Sequence, residues 1–391
     1  MQNVTGATTS LSRKRKINEL KFIHMPSKHD IEEIISHFSI YGSYQEGHPM
    51  RSGHINDTYV AVFGQAGIRV RYILQRINHH VFRDPAGVME NIRRVTSHAA
   101  QHLVALKVQD ASRRVLTIVP THDGRAFWTD ADDNCWRCYL FIEGARSYGF
   151  VEEDWQAFEA GKAFGEFQRL AASLPGPRLH ETIPNFHNTR SRFDRLREAV
   201  EADVQGRVRE VRAEWNFVRE REALVDVLLD LQKSGDIPER ITHNDTKLNN
   251  VLIDDSLQTG ICVIDLDTVM NGLVHYDFGD LVRSSTSPAA EDEKDVSKVY
   301  MRMDMFEALA RGYLSTAKGF LNEAEIEHLA FAGKLITLET GIRFLTDYLK
   351  GDVYFKISRP EHNLDRCRTQ WALVRSIEEQ EAAMQKLVRA V

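Results

Sequence analysis

Apolar and polar residues alternate in two short stretches near the start of the chain, "DTYVAVFG" (57–64) and "VRYILQRI" (70–77), on either side of "QAG". Alternation with period two, broken by a small turn, predicts a β-hairpin. Before it, "HDIEEIISHFSI" (29–40) has helical spacing, with Asp30 placed to accept from the first unpaired N–H groups. After it, Pro85 opens "AGVMENIRRVTSHAAQHL", and proline suits a first helical turn because the missing N–H would have had no partner there. "RRVLTIVPTHDGRAFWTD" reads as a strand, a D-G turn and another strand, and "CWRCYLFIEG" closes a small, mostly antiparallel sheet around one internal helix.

From residue 152 the pattern changes to helical spacing in "WQAFEAGKAFGEFQRLAASL", "RFDRLREAVEADV" and "EREALVDVLLDLQKSG", and does so again over 295–350 and 365–390. One compact β patch, 251–267, interrupts the helices. No internal repeat and no low-complexity segment is visible. The predicted class is α+β and bilobal. A polar tail (1–25) with a basic run at Arg13–Lys16 precedes a β-rich lobe (26–144). A linker near "EGARSY" leads to a large, mainly helical lobe (145–391). A cleft between two lobes is a usual ligand site.

Composition narrows the function classes. The 391 residues are 42% hydrophobic and 27% charged, as in globular proteins, and suffice for two lobes with real cores. A net charge of −6 argues against a dedicated nucleic-acid partner. No run is apolar enough for a membrane span or a signal peptide, and four cysteines form no disulfide framework, so a cytoplasmic home without a membrane partner is expected. Cys135 and Cys138 have C-x-x-C spacing, but in a strand residues three apart face opposite ways, so both are read as packing residues.

The chemistry concentrates in "ITHNDTKLNN" (241–250), just before the apolar "VLI". The chain then runs "VLIDDSLQTGICVIDLDT", strand, polar turn, strand, so the hairpin should return Asp265 close to Asn250. Asp245, Lys247, Asn250 and Asp265 would gather at one end, with Asp267 two residues on. Such carboxylate and amide oxygens suit Mg2+ bridging phosphates, and a nearby carboxylate could take a proton from an attacking hydroxyl. Acids and amides also collect in ordinary turns, which explains single residues but not the ordered set.

"HNDTKLNN" resembles the H-x-D-x-K-x-x-N catalytic loop of protein-kinase-like enzymes. The resemblance implies Asp245 as base, Lys247 as a contact to the transferring phosphoryl group, and Asn250 and Asp265 (with Asp267) as metal ligands. "IDLDTVMNG" followed by "YDFGD" resembles the aminoglycoside phosphotransferase and choline kinase branch, which implies that Asp277 and Asp280 brace the catalytic loop. "SGHINDTY", "RYILQRIN", "AAEDEKDVSKV", "LETGIRFLTDYLKGDVYF" and "PEHNLDRCRTQ" further resemble the N-acetylhexosamine 1-kinases, from about residue 30 to about 380. Those enzymes use ATP to phosphorylate the anomeric hydroxyl of N-acetylglucosamine or N-acetylgalactosamine. The likeness implies an amino-sugar substrate and His54, Asn244, Asp245, Arg343 and Tyr354 as sugar contacts. Glu339, one turn before Arg343, is the alternative partner for that arginine. Two departures from protein kinases stand out. Gln75 occupies the place of the phosphate-binding lysine, and "SGHIN", with Gly53 and Asn56, replaces the glycine-rich loop over the phosphates. Glu90 is the helix acid that would answer a lysine. Backbone contacts to adenine are expected from Phe141 to Gly144, Glu143 included. Kinases of other small alcohols, of choline or of aminoglycosides, and a nucleotide-binding pseudokinase, are the competing readings.

Overall fold

The computed structural model describes residues 29–50 and 55–391, so the tail with its basic run, Gly53 and His54 lie outside the described residues. Helix α1 (Ile31–Ile35) is capped by Asp30, whose side chain accepts from the Glu33 N–H at 3.1 Å. Next come β1 (Ser43–Pro49), β2 (Asp57–Gln65), β3 (Ile68–Ile77), α2 (Pro85–Ala105), β4 (Ile118–Val119), β5 (Trp128–Thr129) and β6 (Cys135–Leu140). They form one antiparallel sheet in the order β1-β2-β3-β6-β4, with β5 also on β6.

Gln65 pairs with Ile68, so the β2–β3 turn is only Ala66 and Gly67, both with positive φ (48° and 85°). Two left-handed residues match the twist of the strands they join, and Gly67 adopts that conformation without a Cβ clash. Two details differ from the sequence expectation. The segments around the D-G turn shrink to two residues each and both pair with β6, not with one another. Strand β1, "SYQEGHP", has no apolar alternation; its pairing with β2 makes it a strand.

On β6 the side chains alternate. Trp136 and Cys138 join the core under α1, whereas Cys135 and Tyr139 face α2 and the main core. The cysteines are buried, free and on opposite faces, as the spacing requires.

The rest of the chain comprises β7 (Ala145–Arg146), α3 (Asp154–Ala171), α4 (Thr189–Ala202), α5 (Arg212–Arg219), α6 (Val227–Ser234), β8 (Arg240–Thr242), β9 (Val251–Asp254), β10 (Gly260–Val263), β11 (Met270–Gly272), α7 (Val274–Ser285), α8 (Met303–Ala317), α9 (Glu323–Glu327), α10 (Leu329–Lys350) and α11 (His362–Ala390). The linker does not merely connect: Ala145 pairs with Asp254, so β7 is a third strand on the β9–β10 hairpin. Arg113 fastens the same corner, 2.8 Å from Asp254 and 2.7 Å from the Glu143 carbonyl.

Helices α3 and α8 cross closely because glycines meet there. A Cβ on Gly312 would lie 2.0 Å from the Phe158 carbonyl oxygen, and one on Gly161 2.3 Å from that of Leu309. One continuous apolar core joins Ile77, Met89 and Ile92 of the small lobe to Leu248, Leu266 and Phe278 of the large one. Among the described residues, no helix is long and apolar enough to cross a membrane.

Candidate active site

Strands β8 and β11 pair antiparallel, Thr242 opposite Met270, and between them the chain makes the loop 243–250. Its shape is held from below by Asp277 in the first turn of α7. One carboxylate oxygen accepts from the Asn244 N–H (2.7 Å); the other accepts from the His243 N–H (2.9 Å) and Gln168 Nε2 (2.7 Å). Thr246 Oγ1 donates to the Asp277 carbonyl at 2.6 Å. Two non-glycine residues are left-handed here, Asn244 (φ 66°) and Asp265 (φ 62°). Such strain persists only where surrounding bonds impose it. For Asn244 they do: its amide donates to the Thr268 carbonyl (2.9 Å) and accepts from Thr242 Oγ1 (3.0 Å). Expected at the sugar, this buried side chain instead ties the loop to its frame.

The His243 ring nitrogen Nε2 bonds the Ile264 carbonyl at 2.9 Å, and the Ile264 N–H donates to the Asn250 carbonyl at 2.9 Å. The hairpin therefore returns Asp265 beside Asn250. Lys247 Nζ lies 2.8 Å from Asp245 Oδ1, and Asn250 Nδ2 donates to the Asp245 carbonyl (2.8 Å) and to Oδ2 (3.2 Å). Burial alone would raise Asp245, but the charge and hydrogen bond of Lys247 and the charge of Arg283 outweigh it and hold the carboxyl at about 2. Asp265 is reachable from the cleft. The surrounding protein displaces much of its water and, with the charges of Asp267 and Asp245, pushes it up to about 7. Among the described residues no hydrogen bond reaches the Asp265 carboxylate, and the Asn250 amide oxygen is likewise left over. A carboxylate and an amide oxygen at one point fit a hard divalent cation.

Beneath Lys247, the buried Arg283 lies between Asp280 and Glu291, 2.8 Å from each. Asp280 thus holds Arg283, whereas Asp277 alone of the two holds the loop backbone. In the acidic run 289–295, Glu291 joins Arg283, and Asp292 takes Arg359 and His362, each at 2.9 Å.

Where the sheet meets the linker, a cavity of about 250 Å³ is lined by His48, Val60, Val62, Arg71 and Glu143, among others. The Arg71 guanidinium lies over the Phe141 ring at 3.8 Å and takes the Glu143 carboxylate with Nε at 2.8 Å. Glu143, expected at the nucleotide, is therefore already paired. Three residues expected at the nucleotide or metal have other partners. Asp267 binds Arg137, and Asn56 Nδ2 donates to Asp267 at 2.6 Å. Gln75 accepts from Arg137 Nε at 3.0 Å and donates to Thr58 at 3.0 Å. Glu90 turns outward to His180 (3.0 Å), while its neighbour Asn91 reaches the Val269 carbonyl. A second cavity, about 270 Å³ between α2, α3 and β10, has no catalytic-loop residue in its wall.

Among the residues expected at the sugar, Arg343 is not paired with Glu339. Glu339 takes His187 Nδ1 (2.8 Å) and Thr189 Oγ1 (2.6 Å), and His187 Nε2 bonds the Asn244 carbonyl at 3.1 Å. The Arg343 guanidinium lies over Phe186 (5.1 Å) and Phe355 (5.6 Å). Arg192, on the Phe186 carbonyl at 2.8 Å, is drawn down to about 10 by burial and by the Arg343 charge. Tyr354 is exposed, its ring edge-on to Phe355 at 4.8 Å and its N–H on Asp347.

A model of the phosphotransferase enzyme family (APH) matches residues 46–314. The chain belongs to that family. This phosphotransferase is similar in fold to an aminoglycoside phosphotransferase from Alicyclobacillus acidocaldarius, with a TM-score of 0.61 at 12% identity over 94% of this chain and 98% of that one. It is also similar to a microcompartment-associated aminopropanol kinase (0.54, 17%, 90% and 97%) and to choline kinase from Cryptosporidium parvum (0.52, 15%, 90% and 94%). Sequence reasoning missed Arg137, although an arginine inside the apolar strand "CWRCYL" was a signal. Nothing in the spacing could have joined His187 to Glu339 in this phosphotransferase, a contact between residues 152 apart.

Proposed function

We propose that this phosphotransferase transfers the γ-phosphoryl group of Mg-ATP to the anomeric 1-hydroxyl of an N-acetylhexosamine. The observation that carries the reading is the convergence of Asp245, Lys247, Asn250 and Asp265 on one point of the cleft. Asp245, fully ionised at neutral pH, accepts the proton of the attacking hydroxyl as the sugar oxygen bonds to phosphorus and the bond to the bridging oxygen of the nucleotide breaks. Lys247 steadies the Asp245 carboxylate and brings positive charge to the transferring group. Asn250 and Asp265 would hold Mg2+, which when bound neutralises phosphate charge. The cavity beside Arg71 and Glu143 would take the nucleotide base.

The acceptor end favours a neutral sugar over an amine. Arg343 and Arg192 both lie against Phe186, next to the His187 that bonds the catalytic loop, and Glu339, hydrogen-bonded to His187 and Thr189, offsets the Arg192 charge only in part. A choline or aminoglycoside cation would be repelled there, whereas sugar hydroxyls and an acetamide can accept from guanidinium and stack on Tyr354 and Phe355. The extended resemblance to the hexosamine kinases supports the same acceptor. The test is phosphorus NMR of the product formed from Mg-ATP with N-acetylglucosamine, N-acetylgalactosamine, a 2-amino sugar, choline or kanamycin. The expected result is a phosphate coupled to the anomeric proton of an acetylated sugar. Phosphate on choline or kanamycin alone would overturn the acceptor assignment and leave the phosphoryl chemistry standing.

A further inference from the structure

Kinases place a lysine on the strand that here carries Gln75, and pair it with a helix glutamate. In this chain both ends of the Gln75 amide are engaged, with Arg137 and Thr58, and Glu90 faces away toward His180. Arg137 stands opposite Gln75 across the β3–β6 pairing. Its side chain is 1% exposed. Both terminal nitrogens go to the Asp267 carboxylate, Nη2 at 3.1 Å, and Asn56 donates to the same carboxylate. A guanidinium this buried is retained only when fully matched, and the fork-to-fork pair with Asp267 fixes direction as well as charge.

The partner's position gives the pair its meaning. Asp267 belongs to the single turn Leu266–Thr268 that directly follows Asp265, the left-handed residue brought beside Asn250. An arginine of the small sheet is thus fastened to the turn that presents the candidate metal acid. We propose that Arg137, acting through Asp267, is a positioning residue for the metal-phosphate end of the site. It takes over from β6, against the large lobe, the task that the lysine–glutamate pair performs against the helix in kinases. The inference rests on the phosphotransferase reading and adds a device that the loop motif does not contain. Gln75 is then the support of Arg137, gripping Nε so that both terminal nitrogens point at Asp267. Helix α2 contributes Met89, whose sulfur lies 4.0 Å from Nη1, and no acid.

The experiment uses the full chain with a non-hydrolysable ATP analogue and no acceptor, so that it does not depend on which sugar is the substrate. Mn2+ binding is followed by the electron paramagnetic resonance of free Mn2+ for the wild type, Arg137→Lys, Asp267→Asn and the double variant. Melting temperatures are recorded in parallel. Each single change is expected to weaken Mn2+ binding about 10- to 100-fold, as changes behind a metal ligand do. The double variant should be no worse than the poorer single, because one device is broken either way. In turnover, kcat should fall while the acceptor KM stays within about twofold, the pattern of a group that acts on the transferring end. Gln75→Ala, which removes only the second anchor, is the milder check should Arg137→Lys not fold, and a smaller loss of the same sign is expected. Variants that melt lower yet bind Mn2+ like the wild type would make the ion pair a structural tie and overturn the inference. A wild-type chain that binds no Mn2+ with nucleotide would overturn the metal assignment itself.

Discussion

Asp245 and His275 show how environment decides what a side chain does. Asp245 keeps its charge at neutral pH because Lys247 and Arg283 stand beside it. Asp245→Asn keeps the shape and the Asn250 contact but cannot take a proton. It is expected to lower kcat by about 10²- to 10⁴-fold, with nucleotide affinity measured by calorimetry little changed. His275 lies at the other extreme, buried in α7 with Nε2 on the Glu325 carbonyl at 2.9 Å and no partner for Nδ1. Burial draws it down to about 3. The unfolded chain accepts a proton there near pH 6.5, while the folded one refuses it until about pH 3. Its contribution is therefore complete above pH 6.5 and is lost as pH falls toward 3, on the order of several kcal/mol in all. Thermal melts between pH 7 and 4 should show that decline, and His275→Gln should flatten it.

At the scale of elements, the site depends on how α7 and the α3–α8 pair are seated. Asp277 stands where α7 meets the catalytic loop and accepts from two consecutive backbone N–H groups. Asp277→Ala should leave both bare, at about 1–3 kcal/mol each, and free Asn244 from its left-handed conformation. Activity below the melting temperature should fall with it, although Asp277 touches no substrate. The crossing of α3 and α8 leaves no room for a side chain at Gly312, 2.0 Å from the Phe158 carbonyl. Gly312→Ala must push the helices apart and is expected to cost about 1–3 kcal/mol, read from denaturant unfolding. Turnover of the folded fraction should fall as well, because Gln168 of α3, which accepts from the Tyr313 hydroxyl of α8, donates to the Asp277 carboxylate behind the loop.

For the whole molecule, the two lobes share one core and are pinned together by Arg113–Asp254 at the linker and Arg137–Asp267 in the cleft. A nucleotide bound between them should stabilise both. Saturating Mg-nucleotide at about 100 times its dissociation constant would add roughly 2.7 kcal/mol, seen as a raised melting temperature that a chelator removes. Sequence periodicity alone determined the β2–β3 hairpin and the long helices, because period two and period 3.6 are local consequences of burying one face, whereas β1 and the partners of β4 and β5 were set by pairing. It also determined the return of Asp265 to Asn250, since a short hairpin has nowhere else to put it. Membership of the phosphotransferase enzyme family was legible in the order of the catalytic-loop motifs. The partners of Asn244, Gln75, Asp267 and Glu339 were not. Each is settled by a contact between segments distant in sequence, such as Asp267 with Arg137 and Glu339 with His187. Local pattern states which residues are polar, but which polar groups satisfy one another once water is excluded is decided only when the chain has closed on itself.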